Sequence, residues 1–219
     1  MGKRYIPPLQ TGRICLRLLE EQDLPRTLAW RNQDHIRRWF FFSERLTPEQ
    51  HAGWFARYNQ RDDDFVFIIE ELSGNFPSSC ENEEVQANAR PSTQYSVLST
   101  MPCDKSRPIG QVAIYNIDWA SGTAEFGRLM IGENGAAGRG LARAATDAVV
   151  TLAFEQLGLQ EIYLEVVPGN VRAIKVYEAC GFEVTGSTEK AVLMGKRATA
   201  RAIDHGYMVP GVACGVGSE

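Results

Sequence analysis

The sequence predicts an α/β domain in which a mixed β-sheet is flanked by helices on both faces. Runs rich in Val, Ile, Phe and Tyr recur along the chain, and apolar residues at helical spacing separate several of them. Strands and helices alternate only in the second half, which favours a mixed sheet over a purely parallel one. With 219 residues, one domain covering 1–219 and a sizeable core are expected.

The first elements are a strand and a helix. Residues 13–18 alternate between polar and apolar side chains, as a half-buried strand does. Leu24 and Leu28 begin an apolar stripe that predicts one helix through Arg38. The aromatic run Trp39-Phe-Phe-Phe42 is expected in the loop or turn that follows.

A second helix and three strands come next. Thr47-Pro-Glu-Gln50 resembles a capping box, in which two side chains bind backbone amides at a helix start, and predicts a helix over 48–59. The strands are predicted over residues 65–71, 109–117 and 123–131. Residues 72–107 are rich in Ser, Asn, Glu and Pro, and we interpret them as a polar insertion at a hairpin, either disordered or a lid.

The second half alternates between helices and strands. Apolar spacing predicts a helix over 138–157, which Gly158 ends. The β-rich run 161–167 is interpreted as a buried strand. A helix over 170–179 follows. Further strands are predicted from residue 182 and over 202–209.

Composition narrows the class of protein. The net charge of −4 and the pI near 5.5 argue against a broad basic surface that binds nucleic acid. The five cysteines are scattered and odd in number, which favours free thiols in a reducing compartment, and no cluster has metal-ligand spacing. The N-terminus has no apolar signal region, and no stretch reaches the ~18–20 apolar residues of a membrane span. A cytoplasmic protein is therefore expected.

A glycine-rich turn precedes the predicted helix over 138–157. Gly135, Gly138 and Gly140 permit positive φ and close backbone approach. The unpaired N–H groups at the helix start favour an anion such as a pyrophosphate, to which Arg139 or Arg143 would add positive charge. Three glycines between a strand and a helix are equally compatible with a plain tight turn.

A second motif, read together with the glycine-rich turn, indicates a function for that turn. The segment from Asn170 to Phe182 reads Asn-x-x-Ala-Ile-x-x-Tyr-Glu-x-x-Gly-Phe. With Gly138 and Gly140, it resembles the GNAT superfamily of acyl-CoA-dependent N-acyltransferases, over about residues 12–71 and 107–190. Gly135 departs from the Gln or Arg of the family pattern, so reduced contacts rather than lost binding are expected.

The resemblance implies a GNAT-like fold, in which two central strands splay apart and acetyl-CoA lies in the wedge. Its pantetheine would pair with the strand over 123–131 like an added β-strand. The residues implied in binding it are Leu129, Met130, Ile131, Gly135, Ala136, Ala137, Gly138, Arg139, Gly140, Leu141, Asn170, Ala173 and Tyr177.

Acetyl transfer to an amine needs a proton for the departing thiolate and a group that takes the amine proton. The resemblance implies that Tyr177 protonates the sulfur; a core aromatic is the alternative. Glu165 stands where related N-terminal acetylases have a base, and Glu125 is the rival carboxylate. A Glu in an apolar strand needs a reason, since burying an unpaired carboxylate is costly, but a solvent-facing or ion-paired Glu165 stays open.

The N-terminal half resembles two branches of the family, one acetylating protein N-termini and the other amino groups of nucleotide-linked sugars. Trp30-Arg-Asn32 and His51-x-x-Trp54 lean toward the sugar-nucleotide branch. The acceptor candidates are Trp30, Arg31, Arg37, Phe41 and His51. Core packing, a solvated helix face and helix capping are their plainer roles.

The sequence therefore predicts an N-acetyltransferase that uses acetyl-CoA by direct transfer, without a metal. The expected partner is a small-molecule amine, first a nucleotide-linked amino sugar; a protein N-terminus is the second choice and an aminoglycoside the third. A non-catalytic acyl-CoA-binding sensor is the alternative from another class. No nucleic acid or membrane partner is expected, and a homodimer stays open.

Overall fold

The structure is a computed structural model that describes residues 3–72 and 106–199. In chain order its elements are β1 (Leu9–Thr11), β2 (Ile14–Leu18), a 3₁₀ turn (Glu21–Asp23), α1 (Leu24–Arg31), α2 (Asp34–Arg37), α3 (Pro48–Tyr58), β3 (Phe65–Leu72), β4 (Ser106–Asp118), β5 (Thr123–Ile131), α4 (Leu141–Thr151), a π-helical turn (Leu152–Gln156), β6 (Glu161–Val166), α5 (Val171–Ala179), β7 (Glu183–Ser187) and β8 (Val192–Arg197). The predicted mixed sheet flanked by helices is confirmed.

Within the described residues, the strands form one eight-stranded sheet in the order β1-β2-β3-β4-β5-β6-β8-β7. All neighbouring strands are antiparallel except β5 and β6, which are parallel. The parallel pair lies where the antiparallel N-terminal half meets the second half, so a crossover through α4 connects the two strands.

The core lies on both faces of the sheet. Phe65, Phe67 and Ile69 of β3 pack in the larger cluster with α4 and α5, whereas Val66 and Ile68 pack with α3 on the other face. A strand buried on both faces reads as a continuous apolar run. This explains why residues 65–69 show no polar alternation.

The two parallel strands diverge. They are paired only at their beginnings, where Thr123, Ala124 and Glu125 of β5 lie beside Glu161–Tyr163 of β6. Beyond Glu125, β5 continues to Ile131 with no β6 partner among the described residues. The divergence opens a wedge in the middle of the sheet, as the family resemblance implied.

A β-bulge lies in β5 at this point. Gln111 and Ala113 of β4 are two residues apart, but their partners Met130 and Gly127 on β5 are three apart. The bulge shifts the alternation of β5: Phe126 and Leu129 belong to the α4 face, whereas Met130 packs with α1 and α2 on the other face.

One predicted helix was wrong in its extent. The chain does not continue as a single helix to Arg38, because Gln33 is extended (φ −66°, ψ 131°) and separates α1 from α2. The Asn32 side chain binds the backbone of Leu46 on both its carbonyl (2.8 Å) and its amide (2.9 Å), and Gln33 donates to the Gly132 carbonyl (3.0 Å). These distant partners outweigh the local helical pattern.

The other predictions differ in outcome. The capping box is confirmed, since Thr47 and Gln50 bind each other's backbone amides at the start of α3. The strand over 161–167 is not fully buried, because its side chains alternate between buried and exposed. Strands β1 and β8 were not predicted. The strand predicted over 202–209 and nearly all of the 72–107 insertion lie outside the described residues.

The described helices include none that is both long and apolar enough to cross a membrane.

Candidate active site

The wedge between β5 and β6 is a cleft of about 570 Å³. Its walls are the free edge of β5, the end of β6, the glycine-rich turn with the start of α4, one side of α5, and the segment from α2 to Phe41. Of the predicted site residues, those that line it are Phe41, Glu125, Leu129, Met130, Ile131, Ala136, Ala137, Gly138, Gly140, Leu141, Glu165, Asn170, Ala173 and Tyr177.

The glycine-rich turn closes one end of the cleft. Gly135, Gly138 and Gly140 have φ of 81°, 80° and 77°, and a Cβ at any of them would meet nothing within 4 Å. Gly140 is the N-cap of α4 and offers no side chain, so the first amides of the helix are left for another acceptor. Backbone N–H groups beside open space fit the phosphates of CoA.

Arg139, predicted to bind the anion, is turned away from the cleft. Its guanidinium forms an ion pair with Glu71 at the end of β3, and Arg13 (3.4 Å) and Arg107 (3.2 Å) reach the same carboxylate. Arg143, in contrast, lines the cleft. Its Nε lies 3.7 Å from Oδ2 of Asp147, one turn along α4. Of the two predicted cations, Arg143 is therefore the one that lines the cleft.

Tyr177 and Asn170 occupy opposite ends of α5. Asn170 is the N-cap, and its side chain accepts from the Ala173 amide (3.3 Å). Tyr177 is 7% exposed and packs edge-on against Phe126 of β5. Burial raises the pKa of Tyr177 well above its ordinary value of 10.0. Its hydroxyl thus stays protonated at neutral pH, as a proton donor requires.

The two candidate carboxylates lie on facing strands and differ in their surroundings. Glu165 points to the exposed side of β6, which is the solvent-facing alternative that the sequence left open. No hydrogen bond to its carboxylate occurs among the described residues. Glu125 is partly buried, and both its oxygens accept: Oε1 from the Tyr115 hydroxyl (2.5 Å) and Oε2 from Asn116 Nδ2 (3.0 Å).

Sequence reasoning missed several residues that line the cleft. Tyr115 and Arg128 lie beside Glu125, and His35, Trp39 and Phe40 form a wall with Phe41. Arg128 lies in the β5 bulge, where residue alternation gives no sign of it. The run Trp39–Phe42 was recognised as a cluster, but nothing in its sequence indicated which cleft it faces.

Four of the acceptor candidates lie outside the cleft lining. Trp30 is buried and donates to Glu133 (2.9 Å). Arg31 is buried, stacks on Phe40 and donates to the Phe42 carbonyl. Arg37 binds Asp34 (2.9 Å) and the Ser43 carbonyl (2.7 Å). The arginines thus hold the segment 39–46 in place instead of presenting cations to the cleft.

His51 is also a packing residue. It lies between α1 and α3, where its Nε2 is 3.0 Å from Thr27 Oγ1 and its ring stacks on Trp54. It is 9% exposed, and burial lowers its pKa below the ordinary 6.5. A neutral, hydrogen-bonded imidazole in this position stabilises the packing of α3 on α1.

We expect acidification to destabilise the protein in part through His51. Below about pH 6.5 the unfolded chain binds a proton that folded His51 excludes, so the free energy of unfolding falls as the pH falls toward the folded pKa. Urea unfolding at about pH 7.5 and about pH 5.5 measures this difference. The variant His51→Phe should lose part of it and keep the wild-type KM for the amine; an undiminished pH dependence would contradict this role.

The described residues include no group of three or more His, Cys, Asp or Glu side chains placed to hold a metal ion.

Comparison with known proteins agrees with this geometry. A family model described as an acetyltransferase (GNAT) domain matches residues 13–183. Spermidine N(1)-acetyltransferase of Vibrio cholerae is 35% identical over 78 residues, which is 36% of this chain and 44% of that relative. The chain thus matches less than half the length of this curated relative.

Solved structures share the fold at low sequence identity. A domain from Methanocaldococcus jannaschii is 20% identical with a TM-score of 0.64, covering 86% of this chain and 100% of that one. The spermidine N-acetyltransferase of Vibrio cholerae with CoA and spermine is 20% identical with a TM-score of 0.63, covering 84% and 94%. Aminoglycoside acetyltransferase AAC(6′)-Ib with coenzyme A is 21% identical with a TM-score of 0.58, covering 87% and 97%.

The solved structures establish the fold alone, whereas the family model extends over most of the sequence, including the wedge and its glycine-rich turn. The chain belongs to the GNAT acetyltransferase family.

Proposed function

We propose that this protein is an N-acetyltransferase that transfers the acetyl group of acetyl-CoA directly to a primary amine of a small molecule. The observation that carries the proposal is the cleft, which has a glycine-rich turn at one end and the protonated Tyr177 hydroxyl in its wall. The relatives named above, which act on spermidine and aminoglycosides, agree with a small-molecule amine as acceptor.

The residues of the cleft fit acetyl-CoA. The amides at the start of α4 and the open space beside Gly138 and Gly140 suit its pyrophosphate. The unpaired edge of β5 from Phe126 to Ile131 can hydrogen-bond the amides of pantetheine as a neighbouring strand would. The contacts to the pyrophosphate come from backbone amides of the glycine-rich turn. The departure at Gly135 from the family pattern therefore weakens acetyl-CoA binding little.

The chemistry divides between Tyr177 and a carboxylate. The amine nitrogen forms a bond to the thioester carbonyl carbon, and the carbon–sulfur bond breaks. Tyr177 gives its hydroxyl proton to the departing sulfur and regains one from solvent, while the amine proton passes to a carboxylate or to water. We assign that carboxylate to Glu125, since both its oxygens are oriented by hydrogen bonds, whereas no residue in the described part of the chain donates to Glu165.

Replacing Glu125 by Gln should therefore lower kcat more than replacing Glu165 by Gln. We expect a loss of about tenfold to a hundredfold for Glu125→Gln, at or below the lower end of general-base effects because water can take the proton instead. Glu165→Gln should change kcat by no more than a few fold. Steady-state kinetics on both variants measures this, and the reverse order would assign the base to Glu165.

Two features of the cleft bear on the acceptor class, and they favour different amines. Trp39, Phe40 and Phe41 line the cleft, and such a wall can stack on a base or a sugar ring, which favours a nucleotide-linked amino sugar. The acceptor candidates Arg31 and Arg37, which could have bound the phosphates of such a nucleotide, bind backbone carbonyls instead. Two carboxylates in the same cleft favour a positively charged amine, such as a polyamine or an aminoglycoside.

The decisive experiment is release of the CoA thiol from acetyl-CoA by purified protein, read with a thiol reagent. The acceptor panel contains amino-sugar nucleotides, polyamines, aminoglycosides and N-terminal peptides. Turnover with one small-molecule class supports the proposal and identifies the acceptor, whereas turnover confined to peptides favours a protein N-terminal acetyltransferase. Acetyl-CoA binding without turnover on any acceptor favours a sensor.

A further inference from the structure

Glu125 is held by a chain of side chains that begins at the buried Asp64, immediately before β3. Its Oε1 accepts from the Tyr115 hydroxyl at 2.5 Å, and the Tyr115 ring lies 4.1 Å from the guanidinium carbon of Arg128. Arg128 in turn donates to both oxygens of Asp64, at 2.8 and 3.1 Å. Asp64 is 2% exposed.

Arg128 adopts a backbone conformation that needs outside support. Its φ of 52° lies in the left-handed region, which costs a residue other than glycine roughly 1–2 kcal/mol. The ion pair in which Arg128 Nη1 reaches both Asp64 oxygens holds the bulge in that conformation. Removing Arg128 would leave the buried Asp64 carboxylate with Lys3, which donates to the Asp64 backbone carbonyl, as its neighbouring cation. Backbone strain of this kind is typical of functional sites.

Tyr115 transmits the position of Arg128 to the cleft. It crosses β5 at Gly127, where a Cβ would lie 2.9 Å from the Tyr115 hydroxyl. Burial and the neighbouring Glu125 raise the pKa of Tyr115, so the phenol remains a hydrogen-bond donor. The ring is fixed on one side by Arg128, and its hydroxyl is therefore directed at one oxygen of Glu125.

We propose that Asp64, Arg128 and Tyr115 are positioning residues that fix the Glu125 carboxylate toward the amine in the cleft. This inference rests on the proposed acetyltransferase function. None of the three needs to exchange a proton with substrate. Their part is to keep one rotamer of Glu125 populated, so that the amine meets a carboxylate already in place.

Steady-state kinetics on four variants tests the proposal. Tyr115→Phe, which keeps the ring and removes the hydroxyl, should lower kcat about fivefold to tenfold and leave KM for acetyl-CoA unchanged. Arg128→Ala should lower kcat by at least as much. Arg128→Lys should recover only part, because lysine can reach Asp64 but has no planar guanidinium to lie against the Tyr115 ring. The matched control is Arg197→Ala, which breaks the exposed pair with Glu161 and should leave kcat unchanged.

A double-mutant comparison separates positioning from stability. In a Glu125→Gln background, Tyr115→Phe should have no further effect on kcat, because the carboxylate it directs is already gone. Independent, multiplicative losses in the two variants would overturn the inference while leaving the acetyltransferase function intact. Lack of wild-type turnover on every acceptor would overturn the proposed function, and the inference with it.

Discussion

Replacing Tyr177 by Phe should reduce kcat by about 10²–10⁴-fold, the range of general acid catalysis. The variant loses the hydroxyl that we propose protonates the thiolate, but it keeps the ring that packs on Phe126. Acetyl-CoA affinity should therefore stay within a few fold of wild type, as titration calorimetry would show. Because the raised pKa keeps the wild-type hydroxyl protonated, the effect should be similar across neutral pH.

The matched control is Tyr163→Phe. Tyr163 is the exposed tyrosine of β6, at 41% exposure, and it lies outside the cleft lining. Its replacement should leave both kcat and affinity unchanged. If Tyr177→Phe kept wild-type turnover, the proton for sulfur would have to come from water or another donor, and Tyr177 would be only a core aromatic.

The second large effect is expected at the glycine-rich turn. Changing Gly138 and Gly140 together to Ala places two side chains at φ near 80° and 77°, and each costs roughly 1–2 kcal/mol in that conformation. If the loop relaxes to avoid the strain, the amides at the start of α4 no longer face the phosphates. We expect the Kd for CoA to rise by about 30-fold to 1000-fold, which corresponds to that strain at 1.4 kcal/mol per factor of ten.

Gly158→Ala is the control for this change. Gly158 follows the π-helical turn after α4, at the opposite end of that helix from the glycine-rich turn. Its φ of 69° would impose a similar strain on an alanine. It should lower the melting temperature without changing the Kd for CoA. If the double variant loses stability and binds CoA normally, the turn is a structural corner and the phosphates bind elsewhere.

The sequence predicted best which residues line the cleft near the glycine-rich turn and along α5. The four predicted residues lie in or directly beside the helices that position them, so their spacing in the sequence is enough to predict where they lie; they are Gly138, Gly140, Asn170 and Tyr177. The helix at α3 and the strand over 123–131 were also predicted closely, since a capping box and a regular apolar run are local signals.

The acceptor end could not be predicted in the same way. The break at Gln33 depends on hydrogen bonds to residues near positions 46 and 132, and no local pattern contains them. Arg31 and Arg37 were acceptor candidates, but they donate to the carbonyls of Phe42 and Ser43. The conformation of the loop that carries these carbonyls cannot be predicted from residue spacing. The bulge at Arg128 breaks the alternation of β5, so the residues that surround Glu125 were missed.

The three residue pairs between β5 and β6 also bear on cooperativity. Among the described residues, backbone hydrogen bonds cross from the β4–β5 side to β6 only over the short stretch Gly122–Glu125, where Gly122 accepts from Gln160 and Glu161 and residues 123–125 pair with β6. Amides of β6 and β8 should therefore exchange with solvent through an opening of the C-terminal half alone, at a lower free energy than amides of β3 and β4. A ligand that bridges the wedge would remove this separate opening and merge the two halves into one unfolding unit.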